Sequence, residues 1–247
     1  MKLNILQWNV WYKDQIENIA AFIKSTGADI CCLQELTIGS PEQKTFKNTP
    51  EYIADQLGGY SFWKEIPIES VEGYKTILAN GIFSRFPITA SRSEWINETE
   101  GDGGFSDEYR AYVEAEIEVD SGLLTVATTH MSYTHKFEET DRKSQEADKL
   151  INLLNPQQER YVFAGDLNTL PDSYTIGAIG KVLQSAGPDY AQKTWTTKPF
   201  SYQGFEETEL SWRLDYVFTT PDIKVIESKI LSTEFSDHLP ILITVEL

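Results

Sequence analysis

Asn9, Glu35, His130, Asp166, Asn168, Asp215, Asp237 and His238 share one context: each stands in, or close after or before, a short apolar run. Asn9 closes Leu3-Asn4-Ile5-Leu6-Gln7-Trp8, and Glu35 follows Ile30-Cys31-Cys32-Leu33-Gln34. His130 follows Leu123 to Thr129, while Asp166 and Asn168 follow Tyr161-Val162-Phe163-Ala164. Asp215 lies inside Leu214 to Phe218, and Asp237-His238 precede Ile241 to Val245. An ionised carboxylate among apolar residues is costly unless it is paired or bound to a metal. Singly, each has an ordinary explanation: a turn residue for Asp166, a loop cap for His238. Together they are a set that strand ends bring to one edge of a sheet. Three Asp, one Glu and two Asn in that set offer oxygen, the ligand atom of hard cations such as Mg2+, Mn2+ or Ca2+. With only His130, His135 and His238 as histidines and two adjacent cysteines, a zinc site lacks ligands at the right spacing. His135 has no motif around it and reads as a surface residue. The glycine-rich phosphate loops and the G-x-S-x-G nucleophile turn do not occur. What remains is metal-assisted hydrolysis, with Asp and His handling protons and charge.

These residues need strands and helices to place them, and the apolar period switches between two and about 3.6 along the chain. Asp14 with Glu17, then Ile16, Ile19, Ala20 and Ile23, predicts a helix ended by Gly27. Asp29 to Gln34 predicts a buried strand delivering Glu35 at its end. Thr49-Pro50 opens a second helix, with Ile53, Ala54 and Leu57 inward and Gly58-Gly59 closing it. Ile77 to Phe83 is a strand. Val113, Ala115, Ile117 and Val119 alternate with Glu114, Glu116 and Glu118 in another, and Asp120-Ser121-Gly122 turns it into Leu123 to Thr129. A helix from about Arg142 carries Ala147, Leu150, Ile151 and Leu154 on one face, with Pro156 beyond it. Tyr161 to Ala164, Leu214 to Phe218, Lys224 to Leu231 and Ile241 to Val245 complete the strands. Hairpins with few helices favour mixed sheets over a purely parallel one. Ser91 to Tyr109, with Glu94, Glu98, Glu100, Asp102, Asp107 and Glu108, reads as a long acidic loop, functional or simply solvated.

The chain has 247 residues, 40% apolar and 24% charged, a composition that builds one core without staples. No linker divides it, so residues 1–247 read as a single domain. A net charge of −17 argues against tight, sequence-indifferent duplex binding, which depends on Lys and Arg. No apolar run reaches the roughly 18 residues of a membrane span, and the start of the chain is too polar for a secretory leader. Cys31 and Cys32 are neighbours whose side chains point to opposite faces of a strand, so they read as buried hydrophobes. Scarce cysteine fits a reducing cytoplasm, and a cytoplasmic monomer is the expectation.

Seven segments occur in order: Gln7-Trp8-Asn9, Leu33-Gln34-Glu35, Asn80-Gly81-Ile82-Phe83-Ser84-Arg85-Phe86-Pro87, Thr129-His130, Gly165-Asp166-Leu167-Asn168, Arg213-Leu214-Asp215-Tyr216 and Ser236-Asp237-His238-Leu239-Pro240. With them the sequence resembles the endonuclease/exonuclease/phosphatase superfamily nearly end to end. The resemblance implies a four-layer α/β sandwich of two mixed β-sheets flanked by helices, and a Mg2+-dependent phosphoester hydrolase, Mn2+ being the alternative ion. It makes Glu35 the principal metal ligand with Asn9 its neighbour, and Asp237 a further metal-associated carboxylate. Asp166 is then the residue that orients or deprotonates water, with Asn168 its partner on the phosphate. His238 contacts a phosphate oxygen and Asp215 holds its ring. His130 assists phosphate or leaving group, while Arg110 and Asn80 fall at phosphate-binding positions. The substrate expected is a small or single-stranded phosphoester. A DNA endo- or exonuclease is the alternative, and a silent binding protein of the same fold the competing class. Trp11, Tyr12, Trp195, Phe200, Tyr202, Phe205 and Trp212 are candidates for an aromatic pocket lining.

Overall fold

The computed structural model describes residues 1–67, 76–98, 109–154 and 159–247. In chain order it runs β1 (Lys2–Asn9), α1 (Ile16–Thr26), β2 (Ile30–Ile38), α2 (Thr49–Leu57), β3 (Tyr60–Pro67), β4 (Ile77–Ser84), β5 (Ile88–Asn97), β6 (Arg110–Val119) and β7 (Gly122–His130). A 3-10 turn (His135–Phe137) leads to α3 (Asp141–Leu154), β8 (Tyr161–Asp166), α4 (Tyr174–Ile179), β9 (Gln184–Ser185), β10 (Phe200–Tyr202), β11 (Phe205–Glu207), β12 (Asp215–Thr219), β13 (Lys224–Ile230) and β14 (Ile241–Glu246). The described strands form two six-stranded sheets, β13-β14-β1-β2-β4-β3 and β5-β6-β7-β8-β12-β9, with β10-β11 a separate hairpin. Each sheet mixes directions: β1 runs parallel to β2 and antiparallel to β14, and β7 runs parallel to β8 and antiparallel to β6.

Alternation along the strands makes the layers. Leu3, Ile5, Ile30, Cys32 and Ile82 of the first sheet pack with Val113, Ala115, Val126, Val162, Ala164 and Val217 of the second. The outer face of the first sheet, through Leu6, Trp8, Cys31 and Leu33, takes Ile16, Ile19, Ala20 and Ile23 of α1 and Ile53 of α2. That of the second, through Tyr112, Ala127, Phe163 and Phe218, takes Ala147 and Leu150 of α3 and Ile176 of α4. The result is helix, sheet, sheet, helix: the four-layer α/β sandwich. Local sequence fixes the helices, with one difference: α1 starts at Ile16 behind Gln15, without a side-chain cap, and not on a capping box at Asp14. Gly27 ends α1 at φ 66, a conformation open to glycine. The Asn48 side chain caps α2 by accepting from the Glu51 N–H, with Pro50 in its first turn.

Two expectations need correction. Ser91 to Asn97 is not loop but most of β5, an edge strand paired with β6. Only Ile96 and Asn97 of that strand are buried, so no apolar alternation betrays it. Arg92 opposite Glu114, paired through Nε and Nη2 at 2.6 and 3.0 Å, holds it instead. Glu100, Asp102, Asp107, Glu108 and Pro156 lie outside the described residues. Similarly β2 does not stop at Glu35 but runs on to Ile38. Edge strand β3, with Ile66 as its only buried side chain, has no period-two signature in the sequence.

Candidate active site

The inter-sheet faces change character at one end of the sandwich. On β1, Leu3 and Ile5 belong to the core, and the next two residues on the same face are Gln7 and Asn9. On β8, Val162 and Ala164 are followed by Asp166. On β7, Leu124 and Val126 are followed by Thr128 and His130. On β12, Val217 is preceded by Asp215. Period-two alternation therefore delivers all of them into one space between the sheets. A first polar tier closes the apolar core. Gln7 Nε2 donates to Gln34 Oε1 at 2.6 Å and to Asp215 Oδ1 at 3.3 Å, and Gln34 Nε2 reaches Thr128 Oγ1 at 2.8 Å.

Glu35 breaks the alternation. Cys31 and Leu33 face the helices, so a regular strand would turn Glu35 outward too. A β-bulge between Leu33 and Leu36, with Glu35 at φ 60, turns it toward the site instead. Asn9 Nδ2 then donates to both Glu35 Oε1 and Asp166 Oδ2 at 2.9 Å, and Asn9 Oδ1 accepts from the Trp11 N–H. Asn9 thus bridges the carboxylates of the two sheets through its NH2 group. The loop that follows β13 is stitched to β1: Ser236 Oγ donates to the Asn9 carbonyl at 2.7 Å, and Trp8 Nε1 donates to the His238 carbonyl at 3.0 Å.

At the centre, His238 Nδ1 lies 2.9 Å from Asp215 Oδ2, and His238 Nε2 lies 3.5 Å from Asp166 Oδ2. His130 Nε2 is 3.4 Å from the same Asp166 oxygen. Asp166 Oδ1 accepts the Asn168 N–H at 3.0 Å, and Asn168 Nδ2 spans His130 Nε2 and the Met131 carbonyl, each at 3.0 Å. Burial alone would favour a neutral His238 ring, but Asp215, Asp166 and Asp237 outweigh it and hold its pKa well above the ordinary value. Burial, with Arg110 nearby, holds His130 well below. The two rings are therefore pushed in opposite directions, His238 toward the cation and His130 toward the neutral form. Burial raises Glu35, and raises Asp166 and Asp237 to about 6 each, against the pull of His238.

These shifts fix a sign. A carboxyl whose folded pKa lies above its unfolded value binds protons more readily when folded, so its contribution to stability declines as pH rises through that interval. For Asp166 the interval runs from 3.8 to about 6. In metal-free protein, Asp166→Asn should melt at nearly the same temperature as the wild type at pH 4 and several degrees higher at pH 7. Parallel thermal melts check this, and a gap that shrinks with rising pH contradicts it.

Asp166, Asp215 and His238 bring ligand atoms within 4.8 Å of one another, but both Asp215 oxygens are already engaged by His238 and Gln7. That trio is better suited to orient a ring than to cage an ion. Asp237 offers a cation a free oxygen that Asp215 does not, whereas Glu35, whose Oε1 accepts from Asn9 Nδ2 and Oε2 from the Tyr12 N–H at 3.3 Å, would have to share its oxygens with an ion. Asp237 Oδ2 accepts from Trp195 Nε1 at 3.0 Å, whereas Asp237 Oδ1 is buried with no hydrogen-bond partner among the described residues. A buried unpaired carboxylate oxygen near Glu35 is a donor set of hard oxygen, which suits a divalent ion such as Mg2+.

A cleft of about 220 Å³ opens over Glu35, His130, Asp166, Asn168, Asp237 and His238. Arg110, 3% exposed at the start of β6, also lines it. Asn80 is buried on β4 and gives its amide to the Ala111 carbonyl at 3.3 Å across the sheets, outside the cleft wall. Trp11, Tyr12, Trp195, Phe200 and Tyr202 border the cleft, while Phe205 and Trp212 pack behind Trp195 and Phe137. His135 is exposed, as expected.

The sequence profile of the endonuclease/exonuclease/phosphatase family matches residues 6–238, from the inner-tier strand β1 through to the histidine at the centre. The chain belongs to this family. No curated protein sequence matches it. Among solved structures, the family protein from Beutenbergia cavernae superposes with a TM-score of 0.79 at 21% identity, over 100% of this chain and 72% of that one. D. rerio TDP2 complexed with single-strand DNA product gives 0.71 at 17%, covering 100% and 99%. Bacteroides thetaiotaomicron mannosyl-6-phosphatase gives 0.69 at 17%, covering 99% and 100%. At these identities the likeness is one of fold. Membership makes this chain a phosphoester hydrolase of the endonuclease/exonuclease/phosphatase type. Several residues that support the site have a positioning role that the sequence of this family member does not reveal. Arg213, 1% exposed, donates through Nε to the Asp215 carbonyl at 2.7 Å and through its other nitrogens to the carbonyls of Pro188, Asp189 and Gln192. Gln7 and Gln34 hold the inner tier, and Trp195 holds Asp237. Gln7 and Gln34 carry a signal, a polar side chain within an apolar run, but a glutamine there has no chemistry of its own to draw notice.

Proposed function

We propose that the protein hydrolyses small or single-stranded phosphoesters, with Asp166 as the group that takes the proton of the attacking water. The arrangement around Asp166 carries this reading. One oxygen is fixed by the Asn168 N–H, and the other faces the cleft beside Asn9, His130 and His238. A carboxylate aimed this way can accept a proton from water at about 3 Å. Cationic His238, kept in place by Asp215, donates from Nε2 to a phosphoryl oxygen as charge builds there. Neutral His130, Asn168 and Arg110 contact the phosphate from the other side. Asn80, donating to Ala111, supports the start of β6 behind Arg110. Glu35 and Asp237, with Asn9 beside them, would hold a divalent cation, Mg2+ first and Mn2+ second. Bound there, it would supply Lewis-acid stabilisation of the phosphoryl oxygens.

His238→Ala should lower kcat by about 10²–10³-fold, the usual loss for one charge-stabilising donor. A steady-state assay on bis-p-nitrophenyl phosphate measures it, and a rate within threefold of wild type rules out the donor role. The substrate class is tested by a panel: bis-p-nitrophenyl phosphate, single- and double-stranded DNA, RNA, 5′-phosphotyrosyl DNA, sugar phosphates, sphingomyelin and inositol phosphates. With a net charge of −17, duplex DNA should be among the poorest. Plasmid cleavage faster than every small substrate would instead establish the DNA nuclease reading. No helix among the described residues is long and apolar enough to cross a membrane, and a cytoplasmic monomer is our working assignment.

A further inference from the structure

Beyond the last rung of the second sheet, the chain at Ser132 has no strand partner among the described residues. β7 ends at His130, paired with Asp166, and the Met131 N–H still donates to the Asp166 carbonyl at 2.9 Å. Ser132 follows, 3% exposed, and side chains from distant elements meet each of its polar groups. Its N–H donates to Glu146 Oε1 at 2.9 Å, and its carbonyl accepts from Lys143 Nζ at 2.5 Å. Its Oγ accepts from Asn97 Nδ2 at 3.1 Å. Lys143 and Glu146 lie on the buried face of α3, 1% and 2% exposed.

The Ser132 N–H and the Met131 carbonyl are two ends of one planar peptide. The carbonyl end receives Asn168 Nδ2, the nitrogen that also lies 3.0 Å from His130 Nε2. Glu146 therefore grips one end of a rigid plate whose other end aims the Asn168 amide. The grip is a costly one. Glu146 Oε2 is buried with no hydrogen-bond partner among the described residues, and a neutral acceptor would satisfy a single N–H with less desolvation. What the carboxylate adds is a charge-assisted bond, passed in series through the peptide to the amide beyond it. Lys143, one helical turn earlier, offsets the buried charge.

We propose that Glu146 is a positioning residue: through the Met131–Ser132 peptide it sets the Asn168 amide, and with it His130, in the geometry the phosphate requires. This rests on the reading of Asn168 given above. A double-mutant cycle separates it from a general stabilising role. Glu146→Met should lower kcat by about 10–100-fold, as supporting-residue losses commonly do, and Glu146→Gln, which keeps an acceptor oxygen but not the charge, should recover part of it. In the Asn168→Ala background, Glu146→Met should cost less than threefold further. Full multiplication of the two losses overturns the proposal, as does a normal kcat in folded Glu146→Met. If Asn168→Ala alone is silent, the assignment of Asn168 fails as well. Should Glu146→Met not fold, Glu146→Asp, one methylene shorter, takes its place. A readout independent of turnover is amide NMR: the Asn168 side-chain NH2 should be exchange-protected in wild type and Glu146→Gln and unprotected in the short or apolar variants. Protection that survives every substitution sinks the idea.

Discussion

Asp166→Asn should leave a folded protein whose kcat is lower by about 10²–10⁴-fold, the range for loss of a positioned general base. The amide keeps the shape and the acceptor for the Asn168 N–H, so the site should not collapse. It loses the basicity, and it loses the negative charge that helps hold His238 cationic. The two losses act on the same step, so they should appear in kcat with KM changed little. Because burial raises Asp166 to about 6 while His238 opposes the shift, and a bound cation would lower it again, the acid limb of kcat/KM in wild type should fall at or below about pH 6. That limb should disappear or move in the variant. A kcat within tenfold of wild type, measured with the metal saturating, would mean that another group handles the water. Glu35, the other carboxylate bonded to Asn9, would be the next to test.

How much of this site was legible beforehand depends on the kind of strand. Asn9, His130, Asp166 and Asp215 lie on regular central strands, where alternation carries a polar residue into the same space as the apolar residue two positions away. For them, sequence position and spatial position agree. For Glu35 the agreement is only partial. Its place at the end of an apolar run drew attention, yet the strand continues, and it is the bulge with a left-handed residue that brings its carboxylate around. Nothing in Gln34-Glu35-Leu36 announces a bulge. Edge strands β3 and β5 give no period-two signal because their side chains are mostly half-buried or exposed, and backbone pairing with a few side-chain contacts such as Arg92–Glu114 holds them. Lys143 and Glu146 were hidden for the opposite reason. On a helix whose exposed face is also charged, Lys143 and Glu146 look like two more solvated residues. Only the tertiary fold shows that they point inward at Ser132.

Chelation should produce the larger of the two effects: excess EDTA should reduce turnover to background, and Mg2+ or Mn2+ should restore it. The argument is electrostatic. Glu35, Asp166, Asp215 and Asp237 converge on one space, and His238 is the cation they share. Burial raises the pKa of three of them, the sign of anions short of compensation. A divalent cation held by Glu35 and Asp237, as proposed above, would remove that excess, and a hydrolysis that loads negative charge onto phosphorus would stall without it. The same charge balance predicts a result that needs no substrate. An ion that binds only the folded state raises its stability by mass action, so millimolar Mg2+ should raise the melting temperature of wild type. In Glu35→Gln that increase should be largely lost, and the Mg2+ concentration for half-maximal activity should rise by at least about 10-fold. Asp166→Asn should retain most of the thermal response to Mg2+, because Asp166 is assigned to the water and not to the ion. Undiminished turnover in excess EDTA would remove the metal from the reaction. A thermal response equal in wild type and Glu35→Gln would move the ion elsewhere, with the Asp166–Asp215–His238 trio the first place to look.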